Sequence, residues 1–141
     1  MPAAPRPAVW ATALLLACGG LAALPAAEAQ AAGRCTGSGC TGKDPQTVGC
    51  GGDALTTASF SGAAVRVELR HSPACQASWA RASSAPVGQI LYVENTRGVR
   101  RQITVRSGQA TVWTPMADAT VATRACLGVA DSDAVTCTSW Q

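Results

Sequence analysis

Of the seven cysteines in this 141-residue chain, the six that follow the N-terminal export segment are the side chains most suited to disulfide or metal chemistry. They are Cys35, Cys40, Cys50, Cys75, Cys126 and Cys137. In a small exported domain, an even set of cysteines is typical of disulfide bonds, each of which contributes about 2–4 kcal/mol to stability. The sequence alone leaves several pairings open. We expect Cys126 to pair with its neighbour Cys137, and Cys50 with Cys75, which leaves Cys35 with Cys40.

Other uses of these thiols fit their spacing less well. Structural zinc sites favour two closely spaced cysteine pairs. Here only Cys35 and Cys40 come close, and the single histidine, His71, has no histidine partner. No C-x-x-C pair is present for redox catalysis. The sequence therefore predicts neither a metal site nor a cofactor.

A basic segment contains the candidate binding residues. Strand alternation places Arg100, Gln102, Thr104 and Arg106 on one face, and Arg97 lies in the turn before them. Such a face could meet anionic wall polymers, phospholipid headgroups or an acidic protein. The same charges could equally form a solvated face that discourages edge-to-edge strand pairing. No aromatic residue interrupts this segment, so nucleic acid is not expected as a partner.

Catalytic and calcium-binding readings have weaker support. His71 and Ser72 are adjacent, but a catalytic triad needs groups brought together in space, and Ser72 before Pro73 suits a cap or turn. Asp44 and Asp53 could offer oxygens to calcium, yet they fit turn chemistry equally well and do not match the twelve-residue calcium loop. The sequence therefore predicts no catalytic residue and no metal ligand.

The aromatic residues have two readings. Trp79, Trp113, Trp140 and Tyr92 could form a surface that stacks on sugars. In a chain with few large side chains, however, aromatic residues more often fill the core. We expect Trp79 and Trp113 to be largely buried, whereas Trp140, near the C-terminus, is expected to be more open.

The elements that must position these residues are mainly strands. After residue 29, β-branched residues outnumber good helix formers about threefold. The clearest strand spans 64–70, where Val65, Val67 and Leu69 share one face. A hairpin is expected around the turn at 95–98. The strands expected besides 64–70 are 89–94, 99–106, 110–114, 120–127 and 136–140.

Two further segments complete the predicted fold. Residues 33–53 are rich in glycine and nearly devoid of large apolar groups, which predicts an irregular loop shaped by its cysteines. Ser72 and Pro73 could begin a short helical turn that continues to Arg81. We therefore expect a mainly β fold: a small antiparallel sandwich or barrel with a short helical turn, stapled by three disulfides.

The N-terminal residues resemble an export signal. Arg6 precedes an apolar stretch over 8–24, and Ala27-Glu28-Ala29 provides a small-residue cleavage site. We expect a signal peptide over 1–29, a short tail over 30–34 and one cysteine-rich β domain over 35–141. Cleavage of this signal would leave no transmembrane span, and the protein would be secreted.

A different processing route would change the location of the protein. The residues before Cys18 also resemble a bacterial lipoprotein cleavage box, so lipid anchoring through Cys18 is the alternative. The apolar run continues after Cys18, which favours plain secretion.

Length and composition limit the classes of protein that fit. Leu, Ile, Val and Phe make up only about one in six of the residues after residue 29. A core that thin is marginal without cross-links. The net charge of +3 and the short length exclude a highly charged disordered tail and a large multidomain enzyme.

Several segments together resemble an uncharacterised, chiefly actinobacterial family of secreted domains, YjfA-like and of unknown function. They are VELRHSPACQASWAR (67–81), CTGKDP (40–45), GCGGDA (49–54), WTPM (113–116) and RAC (124–126). The resemblance covers roughly residues 35–140 and implies export and a disulfide-bonded extracellular fold. It brings no established catalytic residues. His71 stands where the family is expected to have tyrosine, which argues against an essential histidine.

Taken together, these features predict a secreted, disulfide-stabilised domain that acts as a non-catalytic binding module outside the cell or at the cell envelope. Its ligand is expected to be anionic and to meet Arg97, Arg100 and Arg106. A small secreted hydrolase, or a protein that inhibits or masks a partner, is the alternative.

Overall fold

The computed structural model describes residues 35–141, which form two antiparallel β-sheets. The signal peptide and tail expected over 1–34, with Cys18, lie outside the described residues. The first sheet has the order β1-β2-β3-β6, with β7 also paired to β3, and the second has the order β5-β4-β8-β9. The strands are β1 (Leu55–Gly62), β2 (Val65–Ser72), β3 (Ala77–Ser83), β4 (Gln89–Asn95), β5 (Arg100–Thr104), β6 (Thr111–Trp113), β7 (Ala117–Asp118), β8 (Thr123–Val129) and β9 (Val135–Cys137). No helix within residues 35–141 is long and apolar enough to cross a membrane.

The inner faces of the two sheets pack against each other and form the main core. Val67 and Leu69 of β2 contribute from the first sheet, and Leu91 and Val93 of β4 from the second. Each of these four side chains is fully buried. The alternation that predicted a half-buried strand at 64–70 therefore correctly identified its inward face, and the fold is a sandwich.

The predicted hairpin at 95–98 joins β4 to β5. The Asn95 side-chain oxygen accepts hydrogen bonds from the backbone N–H groups of Arg97 and Val99. Gly98 has a φ of 81°, a backbone conformation that residues with a Cβ rarely adopt. The asparagine and the glycine together explain why the chain reverses direction here.

The expected helical turn over Ser72–Arg81 is wrong. Residues 77–83 form strand β3, which pairs along its whole length with β2, and the segment before it is a tight turn in which Gln76 has a φ of 47°. Alternation in β3 sends Ala80 into the sandwich and Trp79 to the opposite face. Pairing on both edges of β3 thus outweighs the local helical tendency of its alanines. The one short 3-10 turn within the described residues lies at Gly37–Cys40.

The sequence pattern also missed strand β1. Most of its residues are exposed, and only Ala58 and Phe60 pack against the core. The register shifts between Thr56 and Ala58, which places a bulge at Thr57. A polar edge strand with a bulge carries little hydrophobic alternation, so periodicity could not reveal it.

A second, smaller core lies on the outer face of the first sheet. Trp79 is only 2% exposed there, beneath the cysteine-rich segment, and packs with Met116 and three fully buried cysteines. The loop expected over 33–53 is therefore irregular in backbone, but it encloses an apolar cluster. Residues 35–141 contain three disulfides, Cys35–Cys40, Cys50–Cys75 and Cys126–Cys137, which agree with the pairing expected from the sequence.

Candidate functional site

The three arginines of the predicted binding face have different surroundings. Arg97 donates from Nη1 to Oδ2 of Asp118 at 3.1 Å. Arg100 donates from Nη2 to Oε2 of Glu94 at 2.9 Å. Arg106 is exposed, and its side chain forms no ion pair with any residue of the described part of the chain. The structure therefore does not gather the three charges into one uncompensated basic face.

Arg100 is held by two kinds of contact. Its guanidinium carbon lies 4.0 Å from the centre of the Tyr92 ring, and Glu94 is shared with Arg124. Burial raises the pKa of Glu94, but hydrogen bonds from Arg100 and Arg124 outweigh it and hold that pKa below its ordinary value. Arg124 in turn stacks over Trp140, which is 41% exposed, as expected for this residue. This network engages both guanidinium groups with one carboxylate, so the charge on the outer face of the second sheet is only partly compensated.

Arg106 instead faces a polar groove between the edges of β5 and β6. The groove has a volume of about 560 Å³ and is lined by polar residues that include Gln102, Gln109 and Asp44. Trp113 forms part of its wall. The groove thus combines the Arg106 guanidinium, the Asp44 carboxylate, several neutral hydrogen-bonding side chains and an aromatic ring.

Trp113 is 38% exposed, so the expectation that it is largely buried is wrong. Alternation in β6 sends Val112 inward to the sandwich core and Trp113 outward. The indole Nε1–H donates to Oδ2 of Asp44 at 3.0 Å. This hydrogen bond fixes the ring at the surface, where one of its faces can meet a ligand.

Asp44, which lines the groove, is held in place by hydrogen bonds within its own turn. Its Oδ1 accepts hydrogen bonds from the backbone N–H groups of Gln46 and Thr47, both at 2.9 Å. Partial burial raises the pKa of Asp44, but the hydrogen bonds from Thr47, Trp113 and Gln46 outweigh it, so the pKa lies below its ordinary value of 3.8. The turn reading of this residue agrees with these contacts.

We expect Asp44→Ala to lower the free energy of unfolding by about 1 kcal/mol at neutral pH and to loosen the Trp113 ring. Because folding lowers the pKa of Asp44, its contribution is complete above pH 3.8 and is lost as the pH falls through the lower folded-state pKa. Urea unfolding of wild type and Asp44→Ala, from neutral to strongly acidic pH, measures the difference in their free energies of unfolding. A stability difference that stays constant down to about pH 2 would contradict the assigned role of the carboxylate.

His71 does not form part of an accessible catalytic site. Its Nδ1 lies 3.1 Å from Oγ of Ser78, and Ser78 is only 1% exposed. Asp53 is engaged elsewhere, because its carboxylate accepts hydrogen bonds from the Ser72 hydroxyl and the Ala74 N–H. Burial lowers the pKa of His71, although the charge of Asp53 opposes the shift. Ser72 thus acts as a turn residue that ties β2 to the cysteine-rich segment.

A larger cleft, of about 680 Å³, lies on the opposite flank of the sandwich, between the β1–β2 and β8–β9 turns. Its walls include Phe60, Val65, Leu127 and Val135, and no charged residue lines it. The side-chain oxygen of Gln89 is buried there without a hydrogen-bond partner. This apolar cleft does not suit an anionic ligand, so the polar groove is the better candidate despite its smaller volume.

Sequence reasoning found part of the polar groove. The sequence predicts Arg106 as a binding residue and places Gln102 beside it on the same strand face, but no sequence pattern singles out Gln109. Asp44 and Trp113 are 69 residues apart, so no local spacing links them. Only the packing of the cysteine-rich segment against the first sheet brings them together.

Comparison with known families gives one match. Residues 38–126 match the family described as "Protein of unknown function (DUF2690)". This range includes the polar groove, the buried residues of the second core and four of the six disulfide-bonded cysteines, since Cys35 and Cys137 lie just outside it. No curated protein and no solved structure matches the chain.

Proposed function

We propose that this chain, which belongs to the DUF2690 family, is an exported domain that binds an anionic glycan of the cell envelope through its polar groove. The proposal keeps the non-catalytic binding role expected from the sequence. It moves the binding residues from the set Arg97, Arg100 and Arg106 to Arg106 and Trp113. The observation that carries it is the exposed indole held by Asp44 beside an arginine that has no carboxylate partner among the described residues.

Export is supported by the disulfides and by the N-terminal sequence. Three disulfides in so small a domain are typical of an oxidising compartment. The signal-like residues 1–29 lead to the same location, with lipid anchoring through Cys18 as the alternative form. We also propose that the chain is related to the YjfA-like domains, which are chiefly actinobacterial. Such a relationship would fit a role at a thick cell wall.

The composition of the groove suits a charged sugar. The hydrogen bond from Nε1–H to Asp44 holds the Trp113 indole at the surface, where an apolar face of the ring can stack on a sugar ring. Gln102 offers its amide group for sugar hydroxyls, and Gln109, whose Oε1 accepts the Arg106 backbone N–H, offers its Nε2 group. The Arg106 guanidinium can meet a carboxylate or phosphate in bidentate geometry. The volume of about 560 Å³ is within the range of about 300–1,000 Å³ that is common for small-ligand sites.

Binding to purified peptidoglycan that carries its anionic polymers tests this proposal. We expect Trp113→Ala and Arg106→Ala each to weaken binding about tenfold, through loss of stacking and of a charged hydrogen bond respectively. Arg100→Ala is the matched control: it removes the same side chain from the same strand region, but Arg100 is tied to Glu94 and Tyr92 outside the groove. Co-sedimentation at several protein concentrations gives the affinities.

Two outcomes would contradict the proposal. One is equal retention of wild type, Trp113→Ala and Arg106→Ala. The other is equally strong binding to a neutral polysaccharide, since the anionic group would then have no role. Binding that weakens as salt is added, and weakens less in Arg106→Ala, is the expected electrostatic signature.

A further inference from the structure

Four of the six cysteines form one compact cluster, although they belong to two separate disulfides. Their sulfur atoms, from Cys35, Cys40, Cys50 and Cys75, all lie within 4.8 Å of one another. Across the two disulfides, Sγ of Cys35 lies 3.9 Å from Sγ of Cys50. Within residues 35–141, these four form the one group of three or more His, Cys, Asp or Glu side chains close enough to hold a metal ion.

This arrangement is close to that of a tetrahedral zinc site. A Zn–S distance of about 2.3 Å places the four sulfurs about 3.8 Å apart. The contact between Cys35 and Cys50 already has almost this separation. Breaking the two disulfides would let the bonded sulfurs move apart toward the same distance, with small side-chain rotations.

Backbone contacts hold the cluster independently of the sulfur bonds. The Gly37 N–H donates to the Cys75 carbonyl oxygen at 2.7 Å, which joins the first cysteine turn to the end of β2. Two further backbone hydrogen bonds tie Met116 to this segment. The Gly42 N–H donates to the Met116 carbonyl oxygen, and the Met116 N–H donates to the Lys43 carbonyl oxygen. Gly37 has a φ of 54°, a conformation that favours glycine. These contacts tie the Gly37–Cys40 turn to Cys75, and after reduction Zn²⁺ would have to supply the folding free energy that the two disulfides no longer contribute.

Solvent access to the cluster is uneven. Cys35 is half-buried, whereas Cys40, Cys50 and Cys75 are fully buried. A reductant can reach the cluster at Cys35, and the apolar surroundings that include Trp79 and Met116 exclude water from the rest. Such a dry shell protects a metal–thiolate centre once it has formed.

We propose that these four cysteines form a redox-controlled Zn²⁺ site, empty when both disulfides are present and filled when both are reduced. A dithiol reductant first converts Cys35–Cys40 into two thiols and becomes a disulfide itself. The Cys35 thiolate then attacks the neighbouring Cys50 sulfur, which forms a Cys35–Cys50 disulfide and releases the Cys75 thiolate. A second dithiol reduces this bond, so that two dithiols supply four electrons. Zn²⁺ then replaces the protons of the four thiols.

The polar groove and the sulfur cluster share no residue, so failure of zinc binding would leave the glycan-binding proposal standing; in the oxidising compartment proposed above, the disulfide form with an empty site is the one that binds the glycan. The zinc proposal also revises the expectation that the chain has no metal site. The sequence does not indicate a zinc site, because only Cys35 and Cys40 are close in sequence. The fold supplies the second pair by bringing Cys50 beside Cys75, 25 residues later.

Cobalt and zinc titrations test the proposal. The purified protein is reduced with a phosphine under argon, the reductant is removed, and Co²⁺ is added. We expect one Co²⁺ per chain, with sulfur-to-cobalt charge-transfer absorption and the visible bands of tetrahedral coordination, and full displacement by one equivalent of Zn²⁺. Zn²⁺ should also raise the temperature of cooperative unfolding of the reduced protein.

Two variants with equal numbers of thiols provide the control. Cys126→Ser/Cys137→Ser keeps the cluster and should bind Co²⁺ like wild type. Cys40→Ser/Cys75→Ser also keeps four of the six disulfide-forming cysteines but removes one ligand from each pair. Loss of one supporting group outside a metal site costs about 10–100-fold in affinity, so loss of two ligands should cost at least about 100-fold.

Three results would overturn the proposal. The first is equal affinity in the two variants, which would mean that any four thiols of the chain suffice. The second is absence of tetrahedral cobalt bands in reduced wild type. The third is metal binding without a gain in cooperative unfolding, because the metal would then be held by an unfolded chain.

Discussion

Trp79→Ala is expected to lower the free energy of unfolding by about 3–5 kcal/mol, the usual cost of deleting a buried tryptophan side chain. Trp79 is 2% exposed and is the largest side chain of the second core. Its removal would leave a cavity between β3 and the cysteine-rich segment, and three disulfide-bonded cysteines with rigid positions cannot move in to fill it. Guanidinium unfolding followed by circular dichroism measures the loss.

Trp140→Ala is the matched control for this change. Trp140 is 41% exposed and contacts Arg124 at the surface, so we expect its removal to cost about 1 kcal/mol or less. Similar losses in the two variants would show that the second core does not stabilise the domain beyond an ordinary surface contact.

Removal of the Cys50–Cys75 disulfide should lower the free energy of unfolding nearly as much as Trp79→Ala does. Cys50→Ala/Cys75→Ala opens a loop with a sequence separation of 25, and the chain-entropy model gives a loss of about 3.5 kcal/mol. Cys35→Ala/Cys40→Ala opens a separation of only 5, for which the same model gives about 2.2 kcal/mol. The longer bond also ties the irregular segment to the end of β2, which no other covalent link does within the described residues.

The comparison of these two variants needs unfolding curves under non-reducing conditions, with the third disulfide intact in both. We expect the Cys50–Cys75 variant to unfold at the lower denaturant concentration. The reverse order would contradict the entropic account, and it would point instead to contacts made by the Gly37–Cys40 turn.

The prediction of fold class succeeded because it depended on local features. β-branched residues, alternation at Val65, Val67 and Leu69, and the Asn95–Gly98 turn signal are each visible within a short window. Sequence proximity favoured the Cys126–Cys137 bond, whereas the other two bonds were one choice among pairings that the sequence leaves open. The prediction failed at β1 and β3 because their strand character comes from pairing partners rather than from their own residues.

The candidate site could be predicted only in part. Arg97, Arg100 and Arg106 share a basic segment, but Glu94 and Asp118 neutralise the first two, and both acids belong to other strands. Whether a surface charge is free to bind a ligand depends on such partners. The contact of Arg97 with Asp118, 21 residues away, leaves no periodic signal in the sequence, whereas Glu94 faces Arg100 across the β4–β5 hairpin at a separation of 6.

By itself, the sequence determined that this protein is mainly β, that its cysteines pair, and which face of β2 points inward, because composition and alternation act through local geometry. Only the tertiary structure decided that Trp113 lies exposed beside Arg106, that Trp79 fills a second core, and that four sulfurs meet in one cluster. These features arise where the cysteine-rich segment folds back over the first sheet. The physical reason is that contacts between distant residues depend on how whole elements pack, which the residue types alone do not specify.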